Sequence, residues 1–396
     1  MRSEHLAEPS YSRGQRLRAT VACFLAYFVM SGMLAPIGIL LPPLAEHLDL
    51  AIEDVAPLFS WLTLGILAGS ALSLVVFALR GPRSWLVIVY AAIAAALLAL
   101  RSVDALWMLR SSLGVVGVAC GIGLAAAAST ITALYRDDQR ASMLIITDSS
   151  FSIAGICVSS LAVYLVAADL HWSSVYVAVA LMALAVVALS LSVPGAPQTR
   201  PGGSEVALRW PPSVWLCIVA LFLYTLGQYS LLWWLPSHLE TGLGATRDDA
   251  GRVVARFWTG MLGAQLFVAW WVLRVGARRL VLFSVSGAFL GTLPLWQIEN
   301  LDLLPWLATL WGFANLGLLK VVIAFATLMP PVATPRLVAA LLFGATSGTA
   351  VSPVVTAAVA GGFGPRSVLQ FGSACYAMLA LLVVLAWKLS ARRRPS

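Results

Sequence analysis

Twelve apolar stretches of roughly 20 residues follow one another along this chain. They lie near 18–42, 55–79, 84–100, 106–134, 141–166, 173–193, 211–235, 250–273, 280–298, 304–329, 336–361 and 367–389. The third and ninth are short for crossing a bilayer, where every backbone N–H and C=O must be satisfied without water. The chain is 60% hydrophobic and only 11% charged, too little polarity for a soluble surface. The expected fold class is an all-α membrane protein with twelve transmembrane helices.

Charge placement predicts the orientation. With the N-terminus inside, cytoplasmic segments hold eighteen of the arginines and lysines, among them Arg13, Arg83, Arg136, Arg278 and Lys388. External loops hold four: Arg101, Arg247, Arg252 and Arg366. That bias predicts that both termini are cytoplasmic. It also accounts for the net charge of +8 without nucleic acid as a partner. The polar start leads into a long span with no small-residue cleavage signal, so the first span is expected to be a retained helix. The five cysteines all fall in spans, without metal-ligand spacing, and neither a metal nor a cofactor is expected. His47 and His238 sit at external helix ends, where histidines most often have no sensing role.

The organising stretch is Thr147–Gly155, inside the span near 141–166. Asp148 is the only carboxylate within a span. A charge at that depth costs at least ~2.5–3.5 kcal/mol, so it implies a partner, a proton or a water-filled cavity. Ser152, Gly155 and Ser159 follow at +4, +7 and +11, on one helical face. The reading is one wall of an aqueous cavity; the alternative is a carboxylate that only fixes helix packing.

The chain reads as two tandem halves. Residues 194–210 form the longest Pro/Gly-rich polar stretch between spans, as a cytoplasmic linker would. The expected division is a cytoplasmic tail at 1–17, a six-helix half at 18–193, the linker at 194–210, a second half at 211–389 and a tail at 390–396. Asp54 and Gly65 in the second span match Asp249 and Gly260 in the eighth at equal separation. Tyr27 and Ser31 in the first span match Tyr224 and Gln228 in the seventh. Two parallel, pseudo-symmetric six-helix halves with a site between them near the midplane are the architecture of major facilitator transporters.

Local motifs carry the same resemblance. Leu79-Arg80-Gly81-Pro82-Arg83 resembles a degraded form of the superfamily's Gly-x-x-x-Asp-Arg-x-Gly-Arg-Arg signature, without its aspartate. Arg110-x-x-x-Gly114 is similar to the superfamily's Arg-x-x-x-Gly motif, often tied to proton coupling. Thr147–Gly155, Tyr224-Thr225-Leu226-Gly227-Gln228, Trp234-Leu235-Pro236, Asp249-Ala250-Gly251 and Phe257-Trp258 resemble the TsgA-type branch, related to the fucose permeases. The resemblance implies the major facilitator fold and a transporter working by alternating access. It implies no particular substrate.

Three further charges lie within spans: Arg110, Arg256 and Lys320. Counting along the helices puts Asp148 at ~10 Å and Lys320 at ~14 Å from the cytoplasmic ends. Arg110 and Arg256 stand at ~8–9 Å from the external ends. Asp148 and Lys320 therefore form the better pair, a cytoplasmic gate that protonation of Asp148 would release. For Lys320 and Arg110 the alternative is snorkelling to the interface. Three positive charges against one negative favour an anionic ligand, with Arg256 and Arg110 as candidate binders. Tyr27, Ser31, Tyr224, Gln228, Asn315 and Ser152 would add neutral hydrogen bonds. Trp258 and Trp311 either line an apolar wall or pack.

The expected function is a proton-coupled secondary transporter of a small polar, anionic organic solute. A multidrug or metabolite exporter is the alternative within transport, and a non-transporting sensor or scaffold outside it. No extramembrane segment is long enough for an output domain. No phosphate loop, His-Glu-x-x-His or Cys/His cluster supports an enzyme. The expected partners are a small-molecule substrate, protons and the lipid bilayer around a monomeric chain, in the bacterial inner membrane.

Overall fold

A computed structural model describes residues 12–77, 79–102, 105–135, 137–193, 210–330 and 335–391. Regular structure among them is helical. The first half contains α1 (Arg13–Leu34), α2 (Ile37–Leu48), α3 (Ile52–Val55), α4 (Phe59–Val76), α5 (Pro82–Ala99), α6 (Leu106–Leu134), α7 (Asp137–Ala167) and α8 (Ser174–Leu191). The second contains α9 (Pro212–Leu243), α10 (Arg247–Val275), α11 (Ala277–Thr292), α12 (Pro294–Gln297), α13 (Leu304–Ala314), α14 (Leu318–Thr327), α15 (Pro335–Phe363) and α16 (Pro365–Ala391). Eleven helical segments among the described residues are long and apolar enough to cross a membrane. The eighth expected span is α10, of 29 residues. Of the expected linker 194–210, all but Trp210 lies outside the described residues.

Several spans read as single helices are broken. The first begins earlier than expected, at Arg13, where Ser12 and Gln15 form a capping box. It then splits at Ala35 and Pro36, because proline has no N–H to continue the ladder. The second opens with α3 and a 3₁₀ turn at Ala56–Leu58. The tenth divides in mid-membrane: Leu316 (φ 45°) and Gly317 (φ 61°) are left-handed and separate α13 from α14. Non-helical backbone at membrane depth is tolerated where it is buried in protein or lines a cavity.

The two halves repeat one packing plan. In the first, α4 packs on α6, α5 on α8, and α1 on α7 and α8. In the second, α10 packs on α13, α11 on α16, and α9 on α15 and α16. Close backbone approach repeats too: a Cβ on Gly117 would overlap the Leu62 carbonyl, and one on Gly260 the Thr309 carbonyl. Arg83, from the degraded signature loop, donates to the carbonyls of Ser190 (2.8 Å) and Leu191 (2.9 Å) at the end of α8. Its counterpart Arg278 reaches Ser390 Oγ (3.4 Å) and lies over Trp387 at the end of α16.

The halves meet through α7 on α10, α4 on α15 and α2 on α9. Among the described residues, several bonds cross this seam toward the end of the bundle away from the chain termini. There Trp233 Nε1 donates to the Leu34 carbonyl (3.0 Å) and Thr63 Oγ1 to the Ala350 carbonyl (3.0 Å). Beyond them Arg247 pairs with Glu46 in the opposite half and lies 3.7 Å from Glu240. The bundle is therefore fastened at its far end. The helix ends that bear Ala19, Leu134 and Val193 gather at the other, terminal end.

Candidate functional site

A cavity of about 280 Å³ lies between the halves, on the terminal side of that fastening. Helices α1, α4, α6 and α7 form one wall, and α9, α10, α14 and α15 the other. Its polar lining includes Tyr27, Ser152, Tyr224, Gln228, Gln265 and Lys320, with threonines from α4, α9 and α15. Met30, Leu34, Phe151, Trp258, Met261 and Leu342 supply apolar surface. Lys320 is the only cation, and no carboxylate lines the cavity, among the described residues.

Helix register orders these groups by depth. On the seam, a Cβ at Gly251 would overlap Val163, and one at Gly155 would overlap Trp258. The antiparallel register of α7 and α10 thus sets position 155 level with 258. Seven positions toward the terminal end on each helix, ~10 Å away, lie position 148 on α7 and Gln265 on α10. A Cβ on Gly312 of α13 would overlap the Phe257 carbonyl, which levels 312 with that same tryptophan layer. Lys320 follows beyond the α13–α14 break, toward the terminal end. Gln265 and the backbone of residue 148 therefore share one layer, and Lys320 lines the same cavity as Gln265.

Lys320 sits in the first turn of α14, which the chain break creates. Its N-cap is Gly317, which lines the cavity and supplies no side-chain cap. An uncapped helix start carries partial positive charge and favours an anion. A lysine in that turn adds a full positive charge to the lining.

Five of the residues expected from sequence line the cavity: Tyr27, Tyr224, Gln228, Ser152 and Lys320. The others go elsewhere. Ser31 is fully buried and donates to the Phe151 carbonyl (2.6 Å), tying α1 to α7. Asn315 is also fully buried; its Nδ2 donates to the Trp311 carbonyl (2.7 Å) and its Oδ1 accepts from the Tyr376 hydroxyl (3.0 Å). It closes the end of α13 at the break, which the sequence reading took for continuous helix. Arg110 and Arg256 are exposed on the bundle surface, and the Arg256 guanidinium lies 5.6 Å from the centre of the Trp306 ring. Trp258 lines the cavity, whereas Trp311 packs in the core against Phe257 and Tyr376. The Asp148 side chain lies outside the described residues.

Sequence reasoning missed Gln265. Its signal was available: a glutamine within a span, seven positions from Trp258. Its Oε1 is buried without a hydrogen-bond partner among the described residues, as are Ser152 Oγ and Trp258 Nε1. Three unpartnered polar atoms on side chains lining one cavity are groups that a bound solute or water would satisfy.

Comparison with known proteins agrees with this architecture. Two solved structures share the fold: the nucleoside transporter NupG, with a TM-score of 0.73 and 13% identity over 94% of this chain and 99% of that one; and a D-xylose-proton symporter, with a TM-score of 0.75 and 14% identity over 98% of each. Protein TsgA from Salmonella newport (strain SL254) and from Salmonella typhi is 26% identical over 373 residues, 93% of this chain and 94% of the relative. The sequence profile of the Major Facilitator Superfamily matches residues 23–246, more than half of the 396. With its two like halves, its inter-half cavity and this match, the chain belongs to the major facilitator superfamily.

Proposed function

We propose that this superfamily transporter is a proton-coupled secondary carrier of a small polar, anionic organic solute, with Asp148 as the coupling group. Its setting is the bacterial inner membrane, with both termini cytoplasmic and the chain a monomer. The cavity is then closed to the outside by the seam around Trp233, Thr63 and Arg247, the inward-facing half of an alternating-access cycle.

One observation carries the anionic assignment: Lys320, the one cation among the described residues lining the cavity, stands in the first turn of α14, whose N-cap supplies no side-chain cap. The volume of about 280 Å³ falls just below the roughly 300–1,000 Å³ of drug-sized sites and supports a small solute over a large drug. Residue 148 is level with Gln265, which lines the same cavity as Lys320, and this supports a switchable pair. Protonation of Asp148 would then weaken the pair and bias the equilibrium between conformations.

The test is uptake by proteoliposomes of the purified protein, under an imposed pH gradient, of labelled organic acids beside neutral sugars. The expected result is accumulation of an acid that an uncoupler abolishes. Transport of neutral sugars alone would overturn the anionic assignment, and uphill uptake indifferent to the uncoupler would overturn proton coupling.

A further inference from the structure

Hydrogen-bonding groups on the cavity wall fall into two sets. Thr63, Thr225 and Thr346 each donate to a backbone carbonyl, of Ala350, Ala345 and Leu342 respectively. Their protons are committed within the protein. Trp258 Nε1, Ser152 Oγ and Gln265 Oε1 are buried without a partner among the described residues. All three belong to the α7–α10 seam, whose two helices are unbroken. Trp258 and Gln265 are seven positions apart on α10, ~10 Å along its axis. Ser152 falls between their levels: Gly155 stands against Trp258, and Ser152 is three positions, ~4.5 Å, from Gly155 toward the Gln265 layer.

We infer that the solute is a hydroxylated organic acid and that Gln265 is the residue that reads its hydroxyl. The inference rests on the anionic transport reading and narrows it. The three unpaired groups have different requirements. An indole N–H only donates, an amide oxygen only accepts, and a serine hydroxyl does both. An ionised carboxylate has no proton to give, so a plain monocarboxylate can serve Trp258 but leaves Gln265 Oε1 unpaired. An ammonium group only donates, and leaves Trp258 Nε1 unpaired. A hydroxyl donates to Gln265 Oε1. A second oxygen of the same solute, nearer the fastened end, accepts from Trp258 Nε1 and pairs with Ser152 Oγ. Ser152 belongs to the first half and the other two residues to the second, so one solute held this way joins both halves.

Titration calorimetry on the purified full-length protein tests this with acids matched in chain length. The pairs are glycerate with propionate, threonate with butyrate and gluconate with hexanoate, beside the neutral polyol glucitol. At least one hydroxylated acid is expected to bind roughly tenfold more tightly than its deoxy partner, the worth of one hydrogen bond to a buried group. Gln265→Leu should collapse that ratio toward one, whereas a packing defect would weaken both members alike and keep it. If Gln265→Leu fails to fold, Gln265→Met, of similar length, replaces it with the same expectation. Equal affinity within every pair, or a ratio that survives the substitution, overturns the hydroxyl assignment and leaves the anionic reading standing. Glucitol binding as tightly as gluconate overturns the anionic reading alone. No binding of any of these compounds overturns both.

Discussion

Trp258 of one half stands where a side chain at position 155 of the other would have to be: a Cβ on Gly155 would overlap its indole. This contact brings α7 against α10 and places the Trp258 ring on the cavity wall. Gly155→Ala is expected to destabilise the protein by about 1–3 kcal/mol through overpacking. Thermal unfolding in detergent measures it. Trp258→Leu in the Gly155→Ala background should recover part of the loss, and strictly additive losses would count against the contact.

Glu46 and Arg247 fasten the far end from opposite halves, with side chains 63% and 39% exposed. Exposed pairs contribute at most about 1 kcal/mol. Arg247→Gln should therefore leave the unfolding temperature nearly unchanged. The same small energy still shifts a conformational equilibrium by a factor of about five. Labelling of a cysteine introduced at Ser237, near that end, is expected to rise in the Arg247→Gln protein. An unchanged rate would mean that the ion pair is not part of the closure.

Asn315 is expected to act on folding, not on affinity. Its amide bonds the Trp311 carbonyl and accepts from Tyr376 at the α13–α14 break. Asn315→Leu leaves buried groups unpaired, at a cost of about 1–3 kcal/mol. Transport assays on the folded fraction should show an unaltered substrate preference. A changed preference with normal stability would place Asn315 at the solute instead.

Asp148→Asn should abolish accumulation driven by a pH gradient while exchange across vesicles persists. When the cytoplasmic side closes, Asp148 and Lys320 are expected to pair, and truncating one leaves the other uncompensated at ~3–5 kcal/mol if fully buried. Asp148→Asn with Lys320→Gln should then fold better than either single variant. Wild-type accumulation by Asp148→Asn would make the residue structural.

Much of the architecture was legible without coordinates. A run of about 20 apolar residues has one solution in lipid, so helix number and approximate position follow from composition. The tandem halves were visible in Gly65 and Gly260, and the Trp258 and Lys320 positions could be read as in-membrane features worth noting. The breaks at Pro36 and Gly317 were harder, since proline and glycine also occur inside intact membrane helices.

The sequence by itself determined which residues share a helical face; only the tertiary structure decided what that face meets. Tyr27 and Ser31 are four apart on α1, yet Tyr27 lines the cavity while Ser31 bonds the backbone of α7. Tyr224 and Gln228, equally spaced on α9, both reach the cavity. Arg256 looked like a ligand-binding charge, and its helix turns it outward over Trp306. The reason is physical. Lipid is as apolar as a helix–helix interface, so hydropathy does not mark which face of a membrane helix is inside. That choice is made by close contacts between distant positions, such as Gly155 with Trp258 and Gly260 with the Thr309 carbonyl, which exist only once the helices have packed.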